Sequence, residues 1–165
     1  MVGLSVLERV EVFKGLNDER LATIQKYVEE REYEKGDKLF SEGDDALHLW
    51  VVIEGDVDLR FELPGGRPAT KRNTVGARKS KKTLSRVLGW SCFVKPYKMR
   101  LSAYCASRRC TVIRIKKEDM LSICEQDSRL GFLVMRLMVE VVGYRFQQFQ
   151  DVVAKTMGED LLSGW

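Results

Sequence analysis

The residues of this chain best suited to chemistry lie between Leu88 and Ala106. Gly89 leads into Trp90 and Ser91, and eleven residues after Gly89 comes Arg100, which precedes Ser102 and Ala103. A glycine lets the backbone approach a ligand closely. The free N–H groups of a helical first turn point at negative charge, and a guanidinium supplies a bidentate partner for an anion. Gly89, Trp90, Ser91, Arg100, Ser102 and Ala103 are therefore the candidate ligand-binding residues for a small anion. Each also has a plainer reading. Gly89 can be a turn glycine, Arg100 one more solvated base, and Trp90 a core or lid aromatic. Ser102-Ala103 by itself carries little specificity.

Catalysis and metal binding find less support. His48 is the only histidine, and no nucleophile–base pair is visible, so an enzyme is not expected. The four cysteines, Cys92, Cys105, Cys110 and Cys124, contain no C-x-x-C pair and read as buried thiols rather than metal ligands.

Charge is unevenly spread. Residues 63–117 hold sixteen Lys and Arg and no Asp or Glu, although the whole chain of 165 residues carries only +4. This places an electropositive surface near the candidate anion loop. Two clusters, Lys71-Arg72 and Arg78 to Lys82, fall in a long segment, 64–83, that also holds Pro64-Gly65-Gly66 and Pro68. With no aromatics to stack bases, the segment reads first as a solvated loop and second as a polyanion-binding one.

The elements that must position these residues begin with two short helices within 1–30. Ser5 to Glu8 fits a capping box, and Leu4, Leu7, Val10 and Phe13 share a face. Asn17 is placed to cap a helix from Asp18 to about Glu30. From Arg31 the texture changes to short strands separated by turns, as in Glu34-Lys35-Gly36-Asp37 and Ser41-Glu42-Gly43-Asp44-Asp45. Leu47 to Ile53 reads as a buried strand and Glu54-Gly55-Asp56 as a hairpin turn. Beyond it Val57, Leu59 and Phe61 alternate with Asp58, Arg60 and Glu62. Strands spaced this closely predict an antiparallel β-roll or jelly-roll barrel, an α+β, mainly β, fold over 31–116.

A long helix follows, with Asp127 or Ser128 as its cap. Arg129, Arg136, Glu140, Gly143 and Gln147 form a narrow polar stripe in an otherwise apolar run from Leu130 to Phe149. A helix apolar around most of its girth needs two covering surfaces. One can be the β-roll and the other the same helix of a second subunit, so a homodimer through Leu130–Phe149 is expected. Helices are placed at 117–150 and a tail at 151–165.

Glu34 to Asp44, followed by Val52-Ile53-Glu54-Gly55-Asp56-Val57, resembles the strand-and-turn signature of the cyclic nucleotide-binding domain superfamily. Phe13-Lys14-Gly15-Leu16 before it and Arg114 to Asp119 after it resemble the family too, so the likeness spans nearly the whole of 1–165 as one domain. The resemblance implies that the family's phosphate-binding cassette lies at 89–106, with Gly89 as its leading glycine and Arg100 as its arginine. Arg100 stands two residues before Ser102 instead of directly before it. At Trp90 the family has a glutamate that accepts from the ribose 2′-hydroxyl, whereas an indole only donates. The implied ligand is a small anion, with cyclic AMP or cyclic GMP as the family's own choice and no certain cofactor.

The function expected is a regulatory module that binds such an anion and passes its state to the C-terminal helix and an unknown downstream protein. A degenerate dimeric scaffold, or a polyanion binder using the basic 64–117 block, are the alternatives. The residues after Phe149 are too few for the helix-turn-helix that follows the sensor in family transcription factors, so nucleic acid is not an expected partner. No run reaches the ~18 apolar residues that cross a bilayer and no signal peptide is visible, so a cytoplasmic protein without membrane contact is expected.

Overall fold

The structure, a computed structural model, describes residues 2–10, 13–62, 74–76 and 86–163. The basic loop expected at 64–83 lies outside the described residues except for Thr74–Gly76.

Helices α1 (Leu4–Glu8) and α2 (Asp18–Gln25) precede strands β1 (Glu29–Glu34), β2 (Lys38–Phe40), β3 (His48–Glu54), β4 (Val57–Arg60), β5 (Thr74–Gly76) and β6 (Val87–Leu88). A 3-10 turn (Trp90–Phe93) leads to β7 (Ser102–Cys105) and β8 (Arg109–Lys116), and helices α3 (Lys117–Gln126) and α4 (Ser128–Ser163) finish the chain. The strands form two antiparallel four-stranded sheets, ordered β1-β8-β3-β6 and β2-β7-β4-β5, which is the expected β-roll.

Glu54-Gly55-Asp56 does not close a hairpin, because β3 and β4 belong to different sheets. It is a corner. Gly55 has φ +80°, and a Cβ there would lie 2.3 Å from the Arg109 carbonyl oxygen and 2.5 Å from Ser107 Oγ. The chain returns between the sheets at 106–108, and the two corners bond to each other. Asp56 N–H donates to Ser107 Oγ (3.0 Å) and Ala106 N–H to the Asp56 carbonyl (2.8 Å). Backbone groups that leave one sheet before joining the next are satisfied in this way.

Alternation in β4 fails at Asp58, which is 1% exposed and accepts from Arg60 Nη2 at 3.2 Å. A buried carboxylate is tolerated because that guanidinium partners it. Leu47, expected in the buried strand, is exposed, whereas Leu49 to Val52 are buried. The core joins Leu49 and Val51 of β3, Val112, Ile113 and Ile115 of β8, Phe13, Leu21 and Ile24 from the N-terminal segment, and Leu130, Val134 and Val141 of α4.

The helices begin and end differently from expectation. Gly3, not Ser5, occupies the N-cap of α1, with no side-chain cap bond. Asn17 does cap α2, accepting from Arg20 N–H at 3.2 Å, but α2 ends at Gln25 and Glu29 already pairs with Arg114 in the sheet. The edge of β8 thus recruits as strand what local pattern assigns to helix. Asp127 caps α4 by accepting from the N–H groups of Arg129 and Leu130, both at 3.0 Å. The tail expected from 151 is helical to Ser163, since nothing between Phe149 and Leu162 breaks the helix except Gly158.

Candidate functional site

Strand β6 stops because Gly89 turns left-handed, at φ +75° and ψ 17°. Any Cβ there would sit 2.6 Å from the His48 carbonyl and 2.9 Å from Trp50 Cδ1, so the backbone passes β3 at a distance only glycine allows. Trp90–Phe93 then forms the 3-10 turn, closed by Cys92 N–H donating to the Gly89 carbonyl at 2.9 Å. Ser91 and Cys92 are buried within it. Burial pushes the Cys92 thiol up to about 12, so it stays protonated and serves as packing.

The chain between this turn and β7 is pinned to the 43–46 segment. Ala46 N–H donates to the Tyr97 carbonyl (2.8 Å), Met99 N–H to the Asp44 carbonyl (2.8 Å), and Gly43 N–H to the Met99 carbonyl (2.9 Å). This holds Arg100 on the same side as the Gly89 turn, with its side chain exposed and no ion pair to any described residue.

A cavity of about 140 Å³ lies between these segments. Gly89, Trp90 and Ser91 form one part of its wall, and Met99, Arg100 and Leu101 another. Phe40 of β2, Leu59 of β4 and Phe61 close the sheet side, with Val87 and Leu88 of β6. Helix α4 supplies the remaining wall, through Arg145 and Phe149.

Four of the six residues singled out in the sequence therefore share this cavity. Ser102 and Ala103 do not line it. Both are fully buried in β7, where Ser102 Oγ accepts from Glu42 N–H at 2.8 Å and supports the neighbouring polar cluster. Hydrogen bonds from Ser102 and Tyr104 hold the Glu62 carboxyl below the usual carboxylate range.

Arg145 and Phe149 are the residues that sequence reasoning missed. One signal was present. The buried face of α4 runs Leu130, Val134, Leu137, Met138, Val141, and the next helical position on that face is Arg145. A cation there, away from the polar stripe, marks where core gives way to a pocket. Burial lowers its affinity for the proton, and its Nη1 donates to Gln148 Oε1 at 3.1 Å.

Nine of the thirteen described lining residues are apolar, and the two charged ones among them are both arginines. No described carboxylate lines the cavity, and the segment 63–85 holds no acidic residue that could. The arrangement can hold a small anion against an apolar wall.

The model of the cyclic nucleotide-binding domain family matches residues 30–127, and this chain belongs to that family. A protein of Geobacter metallireducens described as cyclic nucleotide-binding has a similar structure, with a TM-score of 0.68 at 25% identity over 88% of this chain and 99% of that one. A cyclic nucleotide-binding domain from Methylobacillus flagellatus shares the fold at a TM-score of 0.70, with 16% identity, covering 92% of this chain and 81% of that one. Among curated proteins, a CRP-like cAMP-activated global transcriptional regulator of Mycobacterium tuberculosis is 27% identical over 62 residues. That match covers 38% of this chain and 28% of the relative's length. The family is one of regulatory ligand-binding modules, and among the described residues no helix is long and apolar enough to cross a membrane.

Proposed function

We propose that this domain is a cytoplasmic, non-enzymatic sensor that binds a small organic anion at Arg100 and the Gly89 turn and passes its state to α4 of a homodimer. The observation that carries this reading is the double role of α4. Its inner face contributes Arg145 and Phe149 to the cavity. Its outer face carries Phe132, Met135, Val139, Val142, Phe146, Phe149 and Val153, alternately three and four residues apart. That is the spacing of a coiled-coil seam. Most of these side chains are exposed in the single chain, Val139 by 73% and Phe149 by 58%. A second copy of the same helix is the partner such a seam fits, since identical seams match in register. Phe149 belongs to both the cavity and the seam, so a ligand that displaces it acts on the interface directly.

Calorimetric titration of wild type and Arg100→Ala with cyclic AMP, cyclic GMP and small organic acids tests the binding half. An anion that binds wild type is expected to bind the variant at least tenfold more weakly. Equal affinity for both proteins contradicts the assignment of Arg100. Trp90 offers no acceptor to a ribose hydroxyl, so any cyclic nucleotide that binds is expected to lose little on removal of its 2′-hydroxyl. A buried hydroxyl bond would cost about 1–3 kcal/mol.

A further inference from the structure

We infer that His48 is a pH-sensitive joint between β3, the Gly89 turn and the start of α3. In mildly acidic solution its ring takes up a proton that the closed packing has no place for, and the joint loosens.

His48 is the only histidine in the chain, and histidine is the side chain whose ordinary charge change falls between about pH 5 and pH 8. Its Nε2 is enclosed and has no hydrogen-bond partner among the described residues. In the neutral ring that nitrogen needs no proton, because Nδ1 carries it. In the imidazolium both nitrogens are donors, so a charged N–H is enclosed with nothing to accept it. A charged donor without a partner is far costlier than a neutral acceptor without one.

The surroundings oppose the charge as well. Lys116 of β8 is the register partner of His48, and Arg114 of the same strand pairs with Trp50. The His48 ring meets the Trp50 indole edge-on at 5.9 Å, and the Arg114 guanidinium lies 5.3 Å from the same indole. Two acids act the other way, Glu29 of β1 and Glu118 of α3. Glu29 is already committed to Arg114, whose Nε and Nη2 donate to one of its oxygens at 3.0 and 2.8 Å. Burial first, and then the Arg114 charge, hold the His48 ring below the usual imidazole range.

Two functional segments are seated on this residue. The His48 carbonyl lies 2.6 Å from where a Cβ on Gly89 would stand, so the turn at 89–93 packs directly against it. Lys117, the first residue of α3, donates its N–H to the carbonyl of Leu47 at 2.9 Å. A close-packed interior transmits a shift of β3 at His48 to both.

The folded chain takes up this proton less readily than the unfolded one. The contribution of the neutral ring is complete above the unfolded value of about 6.5 and is lost as the pH falls through and below it. Glu29, Glu62 and Asp127 are all held low, so none of them titrates in that window.

The test is thermal unfolding and amide hydrogen exchange of the full chain at about pH 7.5 and about pH 5.5, with His48→Gln alongside. Acidification should lower the wild-type Tm by several degrees. Exchange in 89–93 and in the first turn of α3, corrected for the intrinsic rate, should rise at least about threefold. His48→Gln should show neither change. Proton NMR of the wild-type imidazole should give a midpoint below about 6.5, and this decides the matter even if the variant fails to fold. A midpoint at or above that value, or equal pH responses in wild type and variant, overturns the inference. So does a loss of stability with exchange in the turn and α3 unchanged. No ligand enters the experiment, so its failure leaves the sensor reading of the cavity untouched.

Discussion

Gly89 and Arg100 show how much of the site is carried by single residues. Gly89 combines a left-handed backbone with a clash that any side chain would meet at the His48 carbonyl. A residue forced into a sparsely populated conformation costs of order 1–3 kcal/mol, and here the collision adds to it. Gly89→Ala is therefore expected to lower the unfolding free energy by at least that range, and urea denaturation measures it. An effect below about 0.5 kcal/mol would show that the turn is not as constrained as its geometry implies. At this scale the sequence was informative where chemistry is local. A glycine, an indole, a hydroxyl and an arginine within twelve residues pointed to one loop, and four of the six residues named from it meet at the cavity. Ser102 and Ala103 did not: as neighbours in β7 they face opposite sides of the sheet, yet both are fully buried, and short patterns do not reveal that a strand is covered on both faces. Arg145 and Phe149 escaped because only the packing of a distant helix brings them to the loop.

Between elements, a charged contact spans the joint of α2, α3 and α4. Arg20 Nε and Nη2 donate to the Asp127 carboxylate, the latter at 3.3 Å, and the same carboxylate caps α4. The bond from Arg20, and then the Leu130 N–H, hold the Asp127 carboxyl below its usual range. The folded state thus takes up a proton here less readily than the unfolded chain. The contribution is fully present above the unfolded pKa of about 4 and is lost as the pH falls through and below it. Thermal unfolding between pH 6 and pH 3 should show a steeper loss of stability in wild type than in Asp127→Asn, which has no carboxylate to protonate. Parallel curves would mean that the contact contributes nothing. The elements themselves were largely legible, since turn residues and alternation announced a β-roll and apolar girth announced a long helix. The corner at Gly55 was read as a hairpin because a tight turn looks the same in sequence whether the chain re-enters its own sheet or crosses to the facing one. The end of α2 was misplaced because pairing with β8, a non-local effect, decides it. The extension of α4 to Ser163 went unread because residues 151–163 mix short apolar runs with charges and announce no packing face until they are seen to continue a helix.

For the whole molecule, α4 both lines the cavity and carries the proposed interface. Light scattering at micromolar concentration should report twice the 19.0 kDa chain mass. Val139→Glu with Phe146→Glu should halve it without unfolding the chain, because both side chains are exposed in the single chain. Substitution at Leu137 or Val141, which are buried within the chain, should instead destabilise the fold. A wild-type monomer, or a dimer indifferent to the double variant, contradicts the seam. The most direct test of the central claim is amide hydrogen exchange of the full chain, alone and with saturating cyclic GMP and, separately, saturating cyclic AMP. Coupling through α4 predicts that at least one of these anions slows exchange in the turn 89–93 and, together with it, changes exchange in α4 around 141–153. Protection of the turn with α4 unchanged, or no response to either anion, would contradict it.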